Sequence, residues 1–140
     1  MGAVKDMKKN VKKEWKRLYN KAYKLWKEKC FKRDGRMCQV QKLYPHLDVM
    51  HTDVLQVDHF VRRDVKHLHL DPRNGTVVCS GCNGSKKWDR KCVGKYIDLI
   101  VLNREGPQAF KEMMEVGNRN APHLEWNTVE YMGNKVKELS

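Results

Sequence analysis

Between Ala3 and Asp34 the chain contains neither proline nor glycine. Within that stretch Val11, Trp15, Leu18, Ala22, Leu25 and Trp26 recur at intervals of three and four residues, the spacing of a helix face that docks on a core. The segment is therefore predicted to be one long amphipathic helix, ended by the turn signal Asp34-Gly35. Its polar face is basic: residues 1–36 hold 14 Lys and Arg against 4 Asp and Glu, so most of the chain's net charge of +12 sits here. A lysine face of ordinary density is solvated surface. An excess this one-sided points to a polyanion, because each cation placed near a phosphate releases condensed counterions. Lys12 and Lys16, one turn apart, are the candidate contacts. A basic amphipathic helix also suits an anionic membrane, but that reading leaves the chemistry described below without a purpose.

With 140 residues the chain supports a single domain and excludes a large two-domain enzyme. Within that domain we divide it into a basic helix (1–35), a core (36–105) and a helical C-terminal extension (106–140). A hydrophobic content of 40% is sufficient for a modest core and too high for disorder throughout. No run of about 18 apolar residues or signal-peptide stretch occurs, which leads us to expect a cytoplasmic protein with no membrane partner. The cysteines number five, Cys30, Cys38, Cys79, Cys82 and Cys92. An odd count without an export signal argues for metal binding over a disulfide framework.

Residues 37–53 read as irregular, 54–60 as a strand, 62–73 as a His-rich polar loop, and 76–79 as a second strand. That loop is too long for a tight hairpin. After Cys82 the pattern turns helical, with Trp88, Cys92, Tyr96, Leu99 and Ile100 on one face and Gly106-Pro107 closing the segment. A helix over 107–116 is expected to use Phe110, Met113 and Met114, and another over 128–139 to start at an Asn127/Glu130 capping box with Trp126 and Tyr131 as its staple. The fold class is α+β.

Four features follow in order: Cys38, then Asp58-His59 at a strand end, then Asn74 in a loop, then Cys79-Ser80-Gly81-Cys82-Asn83. Together they resemble the strand–loop–strand–helix layout of the HNH, or ββα-metal, nucleases. That resemblance implies a general base at His59, a brace for it at Asn74, and a metal ligand in Asn83 at the helix start. Phosphodiester hydrolysis asks for just such groups. An imidazole suits removal of a proton from water near neutral pH. Asp58 and Asn83 offer hard oxygen ligands for one Mg²⁺ or Mn²⁺, which offsets charge on the phosphate and on the departing 3′ oxygen. Lys86, Lys87, Arg62 and Arg63 are candidate contacts to the flanking DNA backbone; His67 and His69 are expected to take no part.

Cys79 and Cys82 straddle the start of that helix, where a structural Zn²⁺ would pin it to the strands. Cys38 is the third ligand expected. Its own CxxC partner is replaced by Gln41, a poor zinc ligand, so the fourth position falls to His46 first, His51 second and Cys30 third. The alternative is that these are small buried thiols without a metal.

From Asp34 to Leu139 the chain further resembles the phage NinG/Rap recombination endonucleases, a branch of the HNH superfamily. The stretches that carry this are Leu55-Gln56-Val57-Asp58-His59-Phe60-Val61-Arg62-Arg63, Leu70-Asp71-Pro72-Arg73-Asn74, Cys79-Ser80-Gly81-Cys82-Asn83, Gly94-Lys95-Tyr96 and the tail from His123 to Glu130. The resemblance implies cleavage of branched or recombination-intermediate DNA, such as a Holliday junction, by a phage- or prophage-encoded enzyme in a bacterial cytoplasm. The chain departs in having Asp58 where those proteins commonly have Gly, and Gln41 in place of a cysteine. Two other functions compete: a nicking, homing or packaging-type nuclease acting on duplex DNA, and a non-catalytic zinc-dependent DNA-binding module. A homodimer is possible for an enzyme that cuts two strands.

Overall fold

The computed structural model describes residues 2–88, 93–119 and 121–140, and the side chains of 8–84, 93–119 and 121–140. Lacking any breaker, the N-terminal segment forms a single helix, α1 (Gly2–Asp34). Gly35 ends it at φ 76°, a left-handed conformation that closes the helix with its N–H on Phe31 O at 2.9 Å. Ala22, Trp26 and Cys30 are fully buried, flanked by half-buried Trp15, Leu18, Tyr19 and Tyr23. Val11, expected on this docked stripe, lies instead 53% exposed, because the apolar cluster beneath α1 begins only at Trp15.

The remaining elements are α2 (Gln39–Leu43), β1 (Leu55–His59), α3 (Lys66–His69), a 3₁₀ turn (Pro72–Asn74), β2 (Gly75–Cys79), α4 (Ser80–Trp88), α5 (Lys95–Glu105), α6 (Pro107–Arg119) and α7 (Val129–Leu139). The strands form a two-stranded antiparallel sheet whose register runs from Leu55 opposite Cys79 to His59 opposite Gly75. Every residue of β2 is buried, which two strands alone cannot achieve. Helices cover both faces: Val77 packs into the cluster under α1 and α7 with Trp126, Met132 and Val136, whereas Val78 packs with Cys38, Val40, Ile97 and Ile100 on the other side. A third cluster places Val61, Val65 and Leu68 of the long loop against Val101 and Met113.

One stitch between α1 and the sheet left no sequence motif. Asp34, 6% exposed, accepts the Val77 backbone N–H at 2.9 Å, and Arg33 pairs with Asp34 at 2.8 Å while donating to Pro72 O and Gly75 O. A buried carboxylate is tolerable because it is both paired and hydrogen-bonded.

Several local expectations shift. The segment 37–53 contains α2, held by Gln39 donating to Asp34 O at 2.8 Å and by fully buried Val40. The buried face of α5 is Ile97, Ile100 and Val101, with Tyr96 and Leu99 half-buried; Cys92 and the Trp88 side chain lie outside the described residues. Met113 is buried in α6 as expected but Met114 is 42% exposed. The cap of α7 is Thr128, one residue after Asn127: its Oγ1 accepts the Tyr131 N–H at 3.2 Å, while Trp126 and Tyr131 rings still meet, 6.0 Å apart. Among the described residues no helix is long and apolar enough to cross a membrane.

Candidate active site and metal centre

Two chemically distinct sites draw on the first turn of α4, which supplies Cys82 to one and Asn83 to the other. The first is sulfur-rich. The Sγ atoms of Cys38, Cys79 and Cys82 and a ring nitrogen of His51 all lie within 4.8 Å of one another. Cys38 Sγ is 3.8 Å from Cys82 Sγ, and His51 Nδ1 is 3.3 Å from Cys82, 3.6 Å from Cys79 and 4.0 Å from Cys38. Tetrahedral zinc with Zn–S near 2.3 Å and Zn–N near 2.0–2.1 Å requires S···S of about 3.8 Å and S···N of about 3.5 Å. The cluster is thus compatible with a structural zinc site. Burial pushes the Cys82 thiol up, as do its neighbours Cys79 and Cys38. On Cys79 burial acts the same way, but hydrogen bonds from the Thr52 and Cys82 backbone and from the His51 and Cys82 side chains together hold the thiol below its ordinary value. Crowded thiols of this kind ask for a cation.

The fourth member is His51, not His46 or Cys30. His46 is exposed, because Tyr44, Leu47 and Val49 turn inward against the α5 cluster and leave it on the outer side, edge-on to Tyr96 at 6.5 Å. Cys30 belongs to the cluster under α1, where burial pushes its thiol up to about 11. His51 is brought in by its neighbours. Thr52 Oγ1 lies 2.5 Å from Ser80 Oγ and accepts the Gly81 N–H, and Met50 O sits where a Cβ on Gly81 would be, 2.0 Å away. Gly81, inside Cys79-Ser80-Gly81-Cys82, was the one sequence sign that another backbone crosses this turn.

The second site is a cleft of about 310 Å³ whose walls include Asp58, His59 and Asn83 together with Tyr23, Arg62 and Arg63. The carboxylate, the imidazole and the carboxamide, 25 positions apart at the extremes, thus meet in one depression. Asp58 and His59 come from the end of β1 and are 7% and 8% exposed; Asn83 comes from the first turn of α4. Asn83 Nδ2 donates to Gln56 Oε1 at 2.6 Å, an arrangement that commits the amide nitrogen and makes Oδ1 the atom able to face a cation. One carboxylate and one amide oxygen fit a hard divalent cation.

His59 is held by parts the sequence did not mark. Its Nε2 lies 3.0 Å from His69 O, and its ring stacks on Trp26 (4.5 Å, 18°) and on His69 (4.7 Å, 5°). Trp26 is in turn fixed by its indole N–H on Asp71 O at 2.8 Å. A neutral imidazole that donates from Nε2 carries its lone pair on Nδ1. His69, expected to be idle, thus orients the imidazole through its carbonyl. Its own ring is pushed down to about 3 by burial and by the nearby His59, Lys66 and Arg63 charges, so it is neutral in neutral solution.

Asn74 acts differently from the brace expected. Fully buried, it accepts the Val61 N–H on Oδ1 at 2.6 Å and donates from Nδ2 to Val61 O and Leu68 O, both at 3.1 Å. With its backbone O on Phe60 N at 2.9 Å, it ties both ends of the loop between the strands and reaches His59 through that loop. Arg62 pairs with Asp64 at 2.9 Å, and Arg63 lies 5.9 Å over the Tyr23 ring. Lys12 and Lys16 are exposed on α1, away from this cleft on a separate groove, whereas the Lys86 and Lys87 side chains lie outside the described residues. No protein-family model matches the chain, and neither does a curated protein or a solved structure.

Proposed function

We propose that the chain is a metal-dependent DNA endonuclease of the HNH type, with a preference for branched or recombination-intermediate DNA. The observation that carries this reading is the shared cleft of Asp58, His59 and Asn83, rimmed by Arg62 and Arg63. The strand–loop–strand–helix order of β1, β2 and α4 supports it, as does the basic face of α1. A Mg²⁺ or Mn²⁺ ion between Asp58 and Asn83 would offset charge on the phosphate and the leaving oxygen. His59 accepts the proton of the attacking water at Nδ1 while Nε2 stays on His69 O. The water oxygen joins phosphorus, the bond to the 3′ oxygen breaks, that oxygen takes a proton from solvent water, and His59 gives its own proton back to solvent. Arg62 and Arg63 hold the neighbouring phosphates. Cys38, His51, Cys79 and Cys82 would hold a structural Zn²⁺, which would keep the first turn of α4, and hence Asn83, in register with β1.

The test is cleavage of a four-way junction and of linear duplex with the same sequence, with and without Mg²⁺. His59→Ala is expected to lose at least about 10²-fold in rate while retaining DNA binding, the usual worth of a positioned base; undiminished cleavage would remove His59 from the chemistry. A junction cut no faster than duplex would favour the duplex-nicking reading. DNA binding with no cleavage under any divalent cation would favour the zinc-dependent binding module.

A further inference from the structure

A depression of about 620 Å³ beside α1 has no part in the chemistry above. It is lined by Val11, Lys12, Trp15, Lys16 and Tyr19. Its aromatic wall is fixed in place. Trp15 donates its indole N–H to Trp126 O at 2.8 Å and stacks on Tyr19 at 5.2 Å with the planes only 3° apart, while Trp126 meets both rings edge-on. Lys12 and Lys16 stand exposed at its mouth. An apolar ligand would use the rings but not the lysines, and a folded acidic surface would use the lysines but not the rings. A nucleotide uses both, presenting a flat base to stack and a phosphate to pair.

The groove also points toward the cleft. Tyr19 stacks on Tyr23 at 6.0 Å, and Tyr23 lines the cleft that holds Asp58, His59 and Asn83. Trp15 to Tyr23 spans two helical turns, about 12 Å, the rise of three to four stacked nucleotides at about 3.4 Å each. Tyr19 is itself stacked between Trp15 and the rings of Tyr23 and His69, so a base meets the wall at Trp15, and only an unpaired base, not covered by neighbours on both faces, can turn a face to it. We infer that the Trp15–Tyr19 groove binds an unpaired segment of DNA strand that runs on toward the cleft of Asp58, His59 and Asn83. This rests on the reading of the chain as a DNA-processing protein, and would let it select junctions and flaps over continuous duplex.

The experiment measures binding of the full chain, with no Mg²⁺ or Mn²⁺ added so that no cleavage occurs and the sulfur-rich site is left undisturbed, to a 12-nucleotide single strand carrying 5-iododeoxyuridine and to a blunt duplex. Irradiation is expected to crosslink the strand to Trp15 or Tyr19. Trp15→Leu should weaken single-strand binding about 5- to 150-fold, the usual loss on removing one stacking ring, and should weaken duplex binding much less. Val11→Glu, on the exposed lip of the groove, is expected to act in the same direction without disturbing the core. Crosslinks confined to other residues, or single-strand affinity unchanged in Val11→Glu, would overturn the inference. Single-strand capture by this groove in a protein that never cleaves DNA would instead sink the nuclease reading and leave this one standing.

Discussion

Replacing Asn74 with alanine tests how the loop between β1 and β2 is held. The side chain is fully buried and makes three hydrogen bonds, one from Val61 N–H and two to the carbonyls of Val61 and Leu68. Truncation leaves the Val61 N–H and the Val61 carbonyl without partners in a dry interior, each worth about 1–3 kcal/mol, while Leu68 O keeps the Asp71 N–H at 3.1 Å. Because a relaxed loop can rehydrate part of the pair, the sum is expected to be about 2–5 kcal/mol, a large share of the 5–15 kcal/mol that holds such a domain together. Urea unfolding should show the midpoint falling with an unchanged slope. Asn74→Asp sharpens the argument, since it keeps the acceptor for Val61 N–H but turns an oxygen toward two carbonyls. Its carboxyl will be held protonated in the folded state, so the folded form binds the extra proton and the variant's deficit should shrink as pH falls below neutrality. A loss under about 1 kcal/mol in Asn74→Ala, or an Asn74→Asp protein as stable as wild type at pH 7, would show that these bonds do not hold the loop.

At the sulfur-rich site, the purified chain is expected to carry one zinc per molecule by elemental analysis. His51→Ala should weaken it more than the 10- to 100-fold typical of losing an outer partner, whereas His46→Ala should leave the stoichiometry at one; the reverse order would displace His51. Gly81→Ala sets a Cβ 2.0 Å from Met50 O, so the segment carrying His51 must move. A loss above about 3 kcal/mol in denaturant unfolding, together with weakened zinc binding, is expected, and a neutral substitution would refute the close crossing. Acid should destabilise the protein through His69. Its folded pKa of about 3 lies below the unfolded value near 6.5, so the unfolded chain takes up a proton that the folded one refuses. Stability is then complete above about pH 6.5 and falls by up to about 1.4 kcal/mol for each unit below it. Unfolding midpoints of His69→Phe should vary less between pH 7 and 5; parallel slopes would assign the acid sensitivity to other groups.

The elements were legible where the pattern was local. The lack of breakers from Ala3 to Asp34, the turn at Gly35 and the strand runs on either side of the loop each act within a few residues, and α1, β1 and β2 formed close to the expected places. Asp58, His59 and Asn83 were legible as residue types at suggestive intervals, and so were three of the four members of the sulfur-rich cluster. What stayed hidden depends on which segments cross in space. His51 outranks His46 because Met50 and Thr52 lie across Gly81, a contact between residues about 30 positions apart that no periodicity encodes. The stack of Trp26 and His69 on His59 and the Asp34 carboxylate on the Val77 amide likewise exist only because distant segments pack together. Periodicity fixes which face of a helix is apolar, since that depends on neighbours three and four residues away. Which partner the face meets, and so which imidazole is turned toward the thiols and which toward the cleft, is settled by packing between distant segments.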